Sequence, residues 1–184
     1  MLEEKSDEEI CKMVQKGDIE AFGILVERYE EKMKRYSQKF LSQKEDIEDV
    51  VQDIFLKAFE NIQSFDTKKK FKSWLYKIAH NQLVNALKRK ERFSFLSLDT
   101  FLPYFSLKEE FNEVEKKELR ANLEKYLQKL DPKYREVIFL YFYENLSYSE
   151  ISEILKIPIS TVGIRLKRAK EKIKKFIQKD YGLN

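Results

Sequence analysis

Three stretches of this chain carry side chains whose types and spacing suit binding chemistry. Between positions 65 and 88, Phe65, Trp74 and Tyr76 are interleaved with Lys68, Lys69, Lys70, Lys72, Lys77 and Lys88 and with the amides of Asn81 and Asn85. Aromatic faces stack unpaired bases, amides bond base edges and cations hold a phosphate backbone, so the mixture suits single-stranded nucleic acid. The alternative is that the rings build a core: Trp74 is read first as core, and Phe65, in the loop before a helix, stays open between the two. A second stretch places Arg165, Lys167, Arg168 and Lys170 in the first half of a helix that follows a short turn, with Lys172, Lys174, Lys175 and Lys179 beyond. That is where base edges and phosphates are reached when a helix enters the major groove. In the third, Asp46, Glu48, Asp49 and Asp53 share the polar side of one predicted helix, a face suited to a basic partner.

Charge is sorted along the chain in agreement with these readings. Residues 1–60 hold ten basic and sixteen acidic side chains, whereas 68–92 holds nine Lys/Arg against the single Glu91 and 156–179 holds nine against the single Glu171. One basic run is commonly a solvated helix face; two, in separate segments of an otherwise acidic chain, point to two contacts with a polyanion. Cys11 has no second cysteine to pair with, and His80 makes no familiar metal-ligand spacing with it. A reducing compartment, and no metal or cofactor, is expected. The sequence contains no signal-peptide pattern and no run of 18 apolar residues, so a cytoplasmic protein without membrane insertion is expected.

The elements that must position these residues are predicted to be helices throughout. Only four Gly and three Pro occur in 184 residues, which favours an all-α protein. Apolar positions at three-and-four spacing predict a helix through Ile10 and Val14, a second through Phe22, Leu25 and Tyr29 with Asp18 as N-cap, and a third over 45–61. The third has Ile47, Val50, Val51, Ile54, Phe55, Ala58 and Phe59 as its stripe. A fourth over 71–90 is expected to bury Trp74, Leu75, Ile78, Ala79, Leu83 and Leu87. These make a first domain of residues 1–90. Pro103, scattered Ser and six aromatic residues without helical period mark 91–112 as a linker with parts that dock.

Residues 113–184 are expected to form a second domain. It contains helices over 113–130 and, after Asp131-Pro132 as N-cap and first helical residue, over 134–143. Ser147 and Glu150 have capping-box spacing and start a short helix. The turn Lys156-Ile157-Pro158 then leads to a helix over 159–178 with Val162, Leu166, Ala169, Ile173 and Phe176 as its stripe. A short helix, a tight turn and a basic helix read as helix-turn-helix.

The segments GDIEAFGILVERY, DIEDVVQDIFLKAF, FKSWLYKIAHN and LDPKYREVIFLYFYENLSYSEISEILKIPISTVGIRLKRAKEKI, in that order, resemble the extracytoplasmic-function group of the bacterial sigma factor family over about 9–177. The resemblance implies a sigma factor that binds core RNA polymerase and directs promoter recognition, DNA melting and transcription initiation. It implies that Asp46, Glu48, Asp49, Gln52 and Asp53 grip the coiled coil of the polymerase's largest subunit. Phe65 with the loop after it, Lys70, Lys72, Lys77, Asn81, Asn85, Lys88 and Arg89 would meet the minus-ten element, whose extruded base the loop receives. Ser160, Thr161, Arg165, Lys167, Arg168 and Lys170 would meet the minus-thirty-five element. Promoter DNA, the polymerase's beta flap and an anti-sigma factor are the further partners it suggests. Gly163 and Ile164 depart from the family, which usually has Lys or Arg and then Ser there, and Lys156 stands where the family often has Gly.

The nearest competing reading is a helix-turn-helix regulator that binds duplex DNA without polymerase, which would need neither the acidic helix nor the aromatic-basic one. An enzyme is further away: the sequence has no Gly-rich phosphate loop, metal-ligand cluster or Ser/His/Asp arrangement, so no catalytic residues are assigned.

Overall fold

The computed structural model describes residues 4–89 and 126–181, and among these all regular structure is helical. The chain divides into two compact units, Met1–Ser94 and Phe95–Asn184. The expected linker over 91–112 and most of the expected helix over 113–130 lie outside the described residues.

The first unit packs α1 (Asp7–Gln15), α2 (Phe22–Ser37), α3 (Lys44–Asn61) and α4 (Phe71–Arg89). Ser6 starts α1 with a reciprocal cap: its N–H donates to Glu9 Oε2 at 2.8 Å, and the Glu9 N–H donates back to Ser6 Oγ at 3.2 Å. Gly17 turns the chain at φ +104°, a conformation that costs a residue with Cβ far more. Asp18 then caps the 3-10 turn Ile19–Ala21 that leads into α2. Each helix gives one stripe to a shared core of Ile10 and Val14, Leu25, Tyr29, Met33 and Tyr36, Val50, Ile54 and Ala58, and Phe71, Leu75, Tyr76 and Ala79.

The α4 stripe differs from the expected one. Trp74 and Ile78 are only half-buried, while Phe71, Tyr76, His80 and Ala86 are buried with Leu75, Ala79, Leu83 and Leu87. Tyr76 is taken into the core by edge-on packing against Tyr36 at 5.3 Å, and Phe71 by Tyr29 at 5.5 Å. Phe59, expected in the α3 stripe, is partly exposed at the end of the helix.

Polar contacts fasten α1 to the rest. Asp7 accepts from Arg28 at 2.7 Å and from the Tyr29 hydroxyl. Glu8 accepts the Phe71 N–H at 2.9 Å, which satisfies one of the amides that the start of α4 leaves without a helical partner. Gln15 donates from Nε2 to both Ile62 O and Phe65 O, each at 2.8 Å. The segment between α3 and α4 is thus held by a side chain some fifty positions earlier in the chain.

In the second unit, α5 (Pro132–Ile138) runs into a π-helical turn (Phe139–Tyr143), followed by α6 (Tyr148–Leu155) and α7 (Ile159–Tyr181). The single helix expected over 134–143 is therefore two geometries. Val137, Ile138, Phe139 and Leu140 are buried in succession, as is Phe142, a burial that no one-sided helix provides. Pro132 opens α5 as expected, but the Asp131 carboxylate makes no cap; it accepts from Lys172 of α7 at 3.1 Å. Arg135 instead reaches back and donates to the carbonyls of Leu127, Gln128 and Leu130 at 2.8–3.0 Å. Burial among those carbonyls lowers its pKa from the ordinary guanidinium value, against the opposing pull of Asp131.

Cys11, on α1, is fully enclosed by the core of the first unit, and burial, assisted by Glu8 and Asp7, pushes its thiol from 9.0 up to about 12. Because the reactive species is the thiolate, the native protein at pH 8 should resist alkylation by iodoacetamide, with modification at Cys11 following global unfolding. The unfolded thiol ionises first as pH rises, so this group should lower stability above about pH 8.5. Rapid stoichiometric alkylation of the folded chain at pH 8 would contradict this assignment.

Candidate nucleic-acid interface and acidic docking face

The acidic face of α3 is what remains after Ile47, Val50, Val51 and Ile54 turn inward. Glu48, Asp49 and Gln52 are exposed, and Asp46 and Asp53 are half-buried. Two grooves flank this face. One, of about 340 Å³, lies between α3 and α4 and gathers Asp46, Asp49, Gln52 and Asp53 with Arg89, whose Nη2 stands 3.6 Å from Asp53 Oδ2. The other, of about 690 Å³, runs between α2 and α3 and is walled by Phe22, Val26, Val51, Phe55, Leu56 and Phe59, with Glu48 and Gln52 on its margin. Ile19 is 61% exposed there, Leu56 54% and Phe59 38%. This apolar groove was missed in the sequence, although Leu56, an apolar residue off the α3 stripe, was the available signal. Apolar surface beside carboxylates is what a helical partner with both apolar and basic residues would cover.

On α4, Lys77, Asn85, Lys88 and Arg89 are exposed, Lys72 and Asn81 are half-buried, and Lys70 is exposed just before the helix. Trp74, Lys77, Asn81 and Lys88 follow three-, four- and seven-residue steps and share one side of the helix, with Asn85 beside them. Arg89 points away from this group to Asp53, and Lys72 falls on another side. Phe65 is 5% exposed: its ring lies 4.8 Å from Trp74 and 5.9 Å from Phe71. Of the two roles left open for Phe65, the structure gives it the core one. The loop position suggested display, but Gln15 draws the Phe65 backbone inward and the ring follows. The aromatic surface partly open on this side belongs to Trp74.

The helix-turn-helix is built by α6, a tight turn and α7. Ser147 and Glu150 form the predicted capping box, with the Ser147 N–H donating to Glu150 Oε2 at 2.8 Å. Lys156 ends α6 in the left-handed region at φ +55°, ψ +42°. Ser152 Oγ donates to Ile157 O at 2.6 Å, and the Thr161 N–H donates to Pro158 O at 2.9 Å, so the turn and the first turn of α7 are tied together. Val162, Leu166, Ala169 and Ile173 are buried, whereas Phe176, also expected in that stripe, is half-buried. Opposite them lie Ser160, Ile164, Lys167 and Arg168, with Lys167 and Arg168 exposed and the other two half-buried. Thr161, Arg165 and Lys170 are half-buried on the flanks. Lys172, expected to serve phosphates, is turned back to Asp131 and over the Tyr134 ring at 5.3 Å.

Comparison with known proteins places these faces in a context. The family model described as sigma-70 region 2 matches residues 25–93, and that of sigma-70 region 4 matches 120–173. The chain is 35% identical to the ECF RNA polymerase sigma factor SigW of Bacillus subtilis, over 91% of this chain and 94% of that one. It is 33% identical to the ECF RNA polymerase sigma-E factor of Escherichia coli K12, over 97% of each. Among solved structures, CnrH in complex with the cytosolic domain of CnrY aligns at a TM-score of 0.69 and 26% identity, covering 96% of this chain and 99% of that one.

Two variants test the geometry. Phe65→Ala should destabilise the first unit by about 3–5 kcal/mol through the cavity it leaves, read by fluorescence of the single tryptophan, Trp74, during denaturation. A loss under about 1 kcal/mol would return Phe65 to the surface. Lys156→Gly should stabilise the second unit by about 1 kcal/mol, since glycine adopts the left-handed turn without a Cβ penalty. Thermal unfolding followed by circular dichroism reads this, and an unchanged or lower midpoint would contradict it.

Proposed function

The chain belongs to the sigma-70 family of RNA polymerase sigma factors, in its extracytoplasmic-function group, and we propose how its faces divide that family's work. As a sigma factor it directs RNA polymerase to promoters. In our reading residues 1–90 act as one domain, 91–112 as a linker and 113–184 as the second domain. The α3 face, with Asp46, Glu48, Asp49, Gln52 and Asp53, docks the coiled coil of the polymerase's largest subunit. The apolar groove between α2 and α3 supplies the desolvated part of that contact, and the carboxylates supply steering and register.

The side of α4 that carries Trp74, Lys77, Asn81 and Lys88, helped by Lys70 and Asn85, meets the minus-ten element. Its cations hold phosphates while its amides and partly open indole meet unpaired bases. Favourable contacts made only with an unpaired strand offset the few kcal/mol needed to extrude a base, so the face promotes melting by binding. The helix-turn-helix meets the minus-thirty-five element through Ser160, Lys167 and Arg168 on the outward side of α7, with Thr161, Arg165 and Lys170 at its edges. The same unit lies against the polymerase's beta flap.

The observation that carries this division is the separation of an acidic and apolar face from two basic faces, one on each unit. The competing expectation, a regulator that acts without polymerase, gives the α3 face no task. The chain contributes binding energy and performs no covalent chemistry of its own, and it works in the cytoplasm. An anti-sigma factor would inhibit it by covering one of the same faces. A solved relative, RpoE, is in complex with the anti-sigma factor NepR from Bartonella quintana, at 21% identity and a TM-score of 0.63.

Reconstitution with core polymerase and mapping of start sites on random promoter DNA tests the whole reading: defined starts that depend on the chain are expected. Asp49→Lys combined with Gln52→Ala should weaken assembly with core enzyme about ten- to hundredfold, because a like charge would face the basic partner. Both side chains are exposed, so the unfolding midpoint should stay put. Undiminished co-purification of the double variant with core enzyme would remove α3 from the interface.

A further inference from the structure

Ile164 is an apolar, β-branched side chain in the middle of a polar helix face. It lies four residues after Ser160, three before Lys167 and four before Arg168, and these share the side of α7 opposite the buried Val162, Leu166, Ala169 and Ile173. A lone apolar residue on a surface needs no explanation in general. The neighbours give this one a context: a hydroxyl one turn before it, two exposed cations one turn after it, and Gly163 beside it, which has no side chain to hold another surface away. The helix is carried by a tied turn, so its first two turns are presented on a fixed backbone.

In the major groove the chemical group that matches an apolar side chain is the C5-methyl of thymine; the other base edges there offer hydrogen-bond donors and acceptors. We infer that Ile164 is a specificity-determining residue that reads a thymine methyl in the minus-thirty-five element, between phosphate or guanine contacts made by Lys167 and Arg168. This inference rests on the reading of α7 as the minus-thirty-five helix and names the base chemistry that it selects.

Deoxyuridine tests it, because it pairs as thymine does and lacks only the methyl. The full chain is assembled with core polymerase on a promoter selected from random DNA, and each thymine of either strand in the minus-thirty-five segment is replaced singly. At one position or more the wild-type holoenzyme should bind about fourfold more weakly to the deoxyuridine template, the worth of about one buried methylene. Ile164→Ser should bind thymine and deoxyuridine templates equally, near the wild-type level on deoxyuridine, and Ile164→Ala should show a smaller difference between them than the wild type. Arg168→Ala should weaken binding to both templates by one factor and preserve their ratio, since neither a phosphate nor a guanine contact senses the thymine methyl. Wild-type binding that ignores deoxyuridine at every position overturns the inference, as does a selected segment without thymine on either strand. Those outcomes leave chain-dependent initiation intact, whereas absence of any initiation with core enzyme overturns the sigma reading itself.

Discussion

A helix that gives one stripe to a core leaves its other side to solvent, and every binding face described above is such a remainder. In α3 the inward positions Ile47, Val50, Val51 and Ile54 force Glu48, Asp49 and Gln52 outward. In α7 the burial of Val162, Leu166, Ala169 and Ile173 does the same for Ser160, Ile164, Lys167 and Arg168. Core and face are thereby set by the same few turns of backbone, so a shift of one residue in the stripe would rotate the functional side chains by about 100°. The proposed binding residues need no loops of their own, and their spacing inherits the rigidity of the packed helix.

Where regular helix ends, that rigidity has to come from polar side chains. The segment between α3 and α4 carries backbone groups that lie outside the helices, and α1 provides for them: Gln15 donates to Phe65 O and adds a second donor to Ile62 O, which already accepts the Phe65 N–H, and Glu8 accepts from the Phe71 N–H. Left buried and unpaired, each such group would cost about 1–3 kcal/mol. In the second unit Arg135 has the matching task for the carbonyls of Leu127, Gln128 and Leu130. These long-range anchors explain how α1 fixes the entry into α4.

Helix number, order and most stripe positions in the described residues were legible, because a 3.6-residue period in apolar side chains is a local signal. The capping box at Ser147, the turn at Lys156 and the Asp18 cap were legible for the same reason. What was not legible depended on distant partners. Phe65 stays open between loop ring and core until Gln15 and Trp74 are placed beside it, and Lys172 reads as a phosphate contact until Asp131 is placed beside it. Arg89 belongs by sequence to the basic helix, yet its geometry assigns it to the α3 groove with Asp53. The π-helical turn at Phe139–Tyr143 answers a demand for burial on several sides at once, which a one-dimensional period does not encode.

The pair Arg89–Asp53 also marks where two opposite fields meet within one unit. At 3.6 Å, with Arg89 exposed and Asp53 half-buried, it adds little to stability, on the order of 1 kcal/mol or less. Its position matters more than its strength. The α3 carboxylates repel a phosphate backbone and the α4 cations attract one, so a polyanion approaching this unit would be turned toward the Lys77 and Lys88 side and away from the proposed docking face. A basic partner experiences the reverse. Because exposed charges are screened over about 10 Å at moderate salt, the two fields act locally and can coexist on adjacent helices without cancelling. Adjacent helices of opposite sign would thus let one small unit hold the proposed protein partner and nucleic acid together, each excluded from the other's surface.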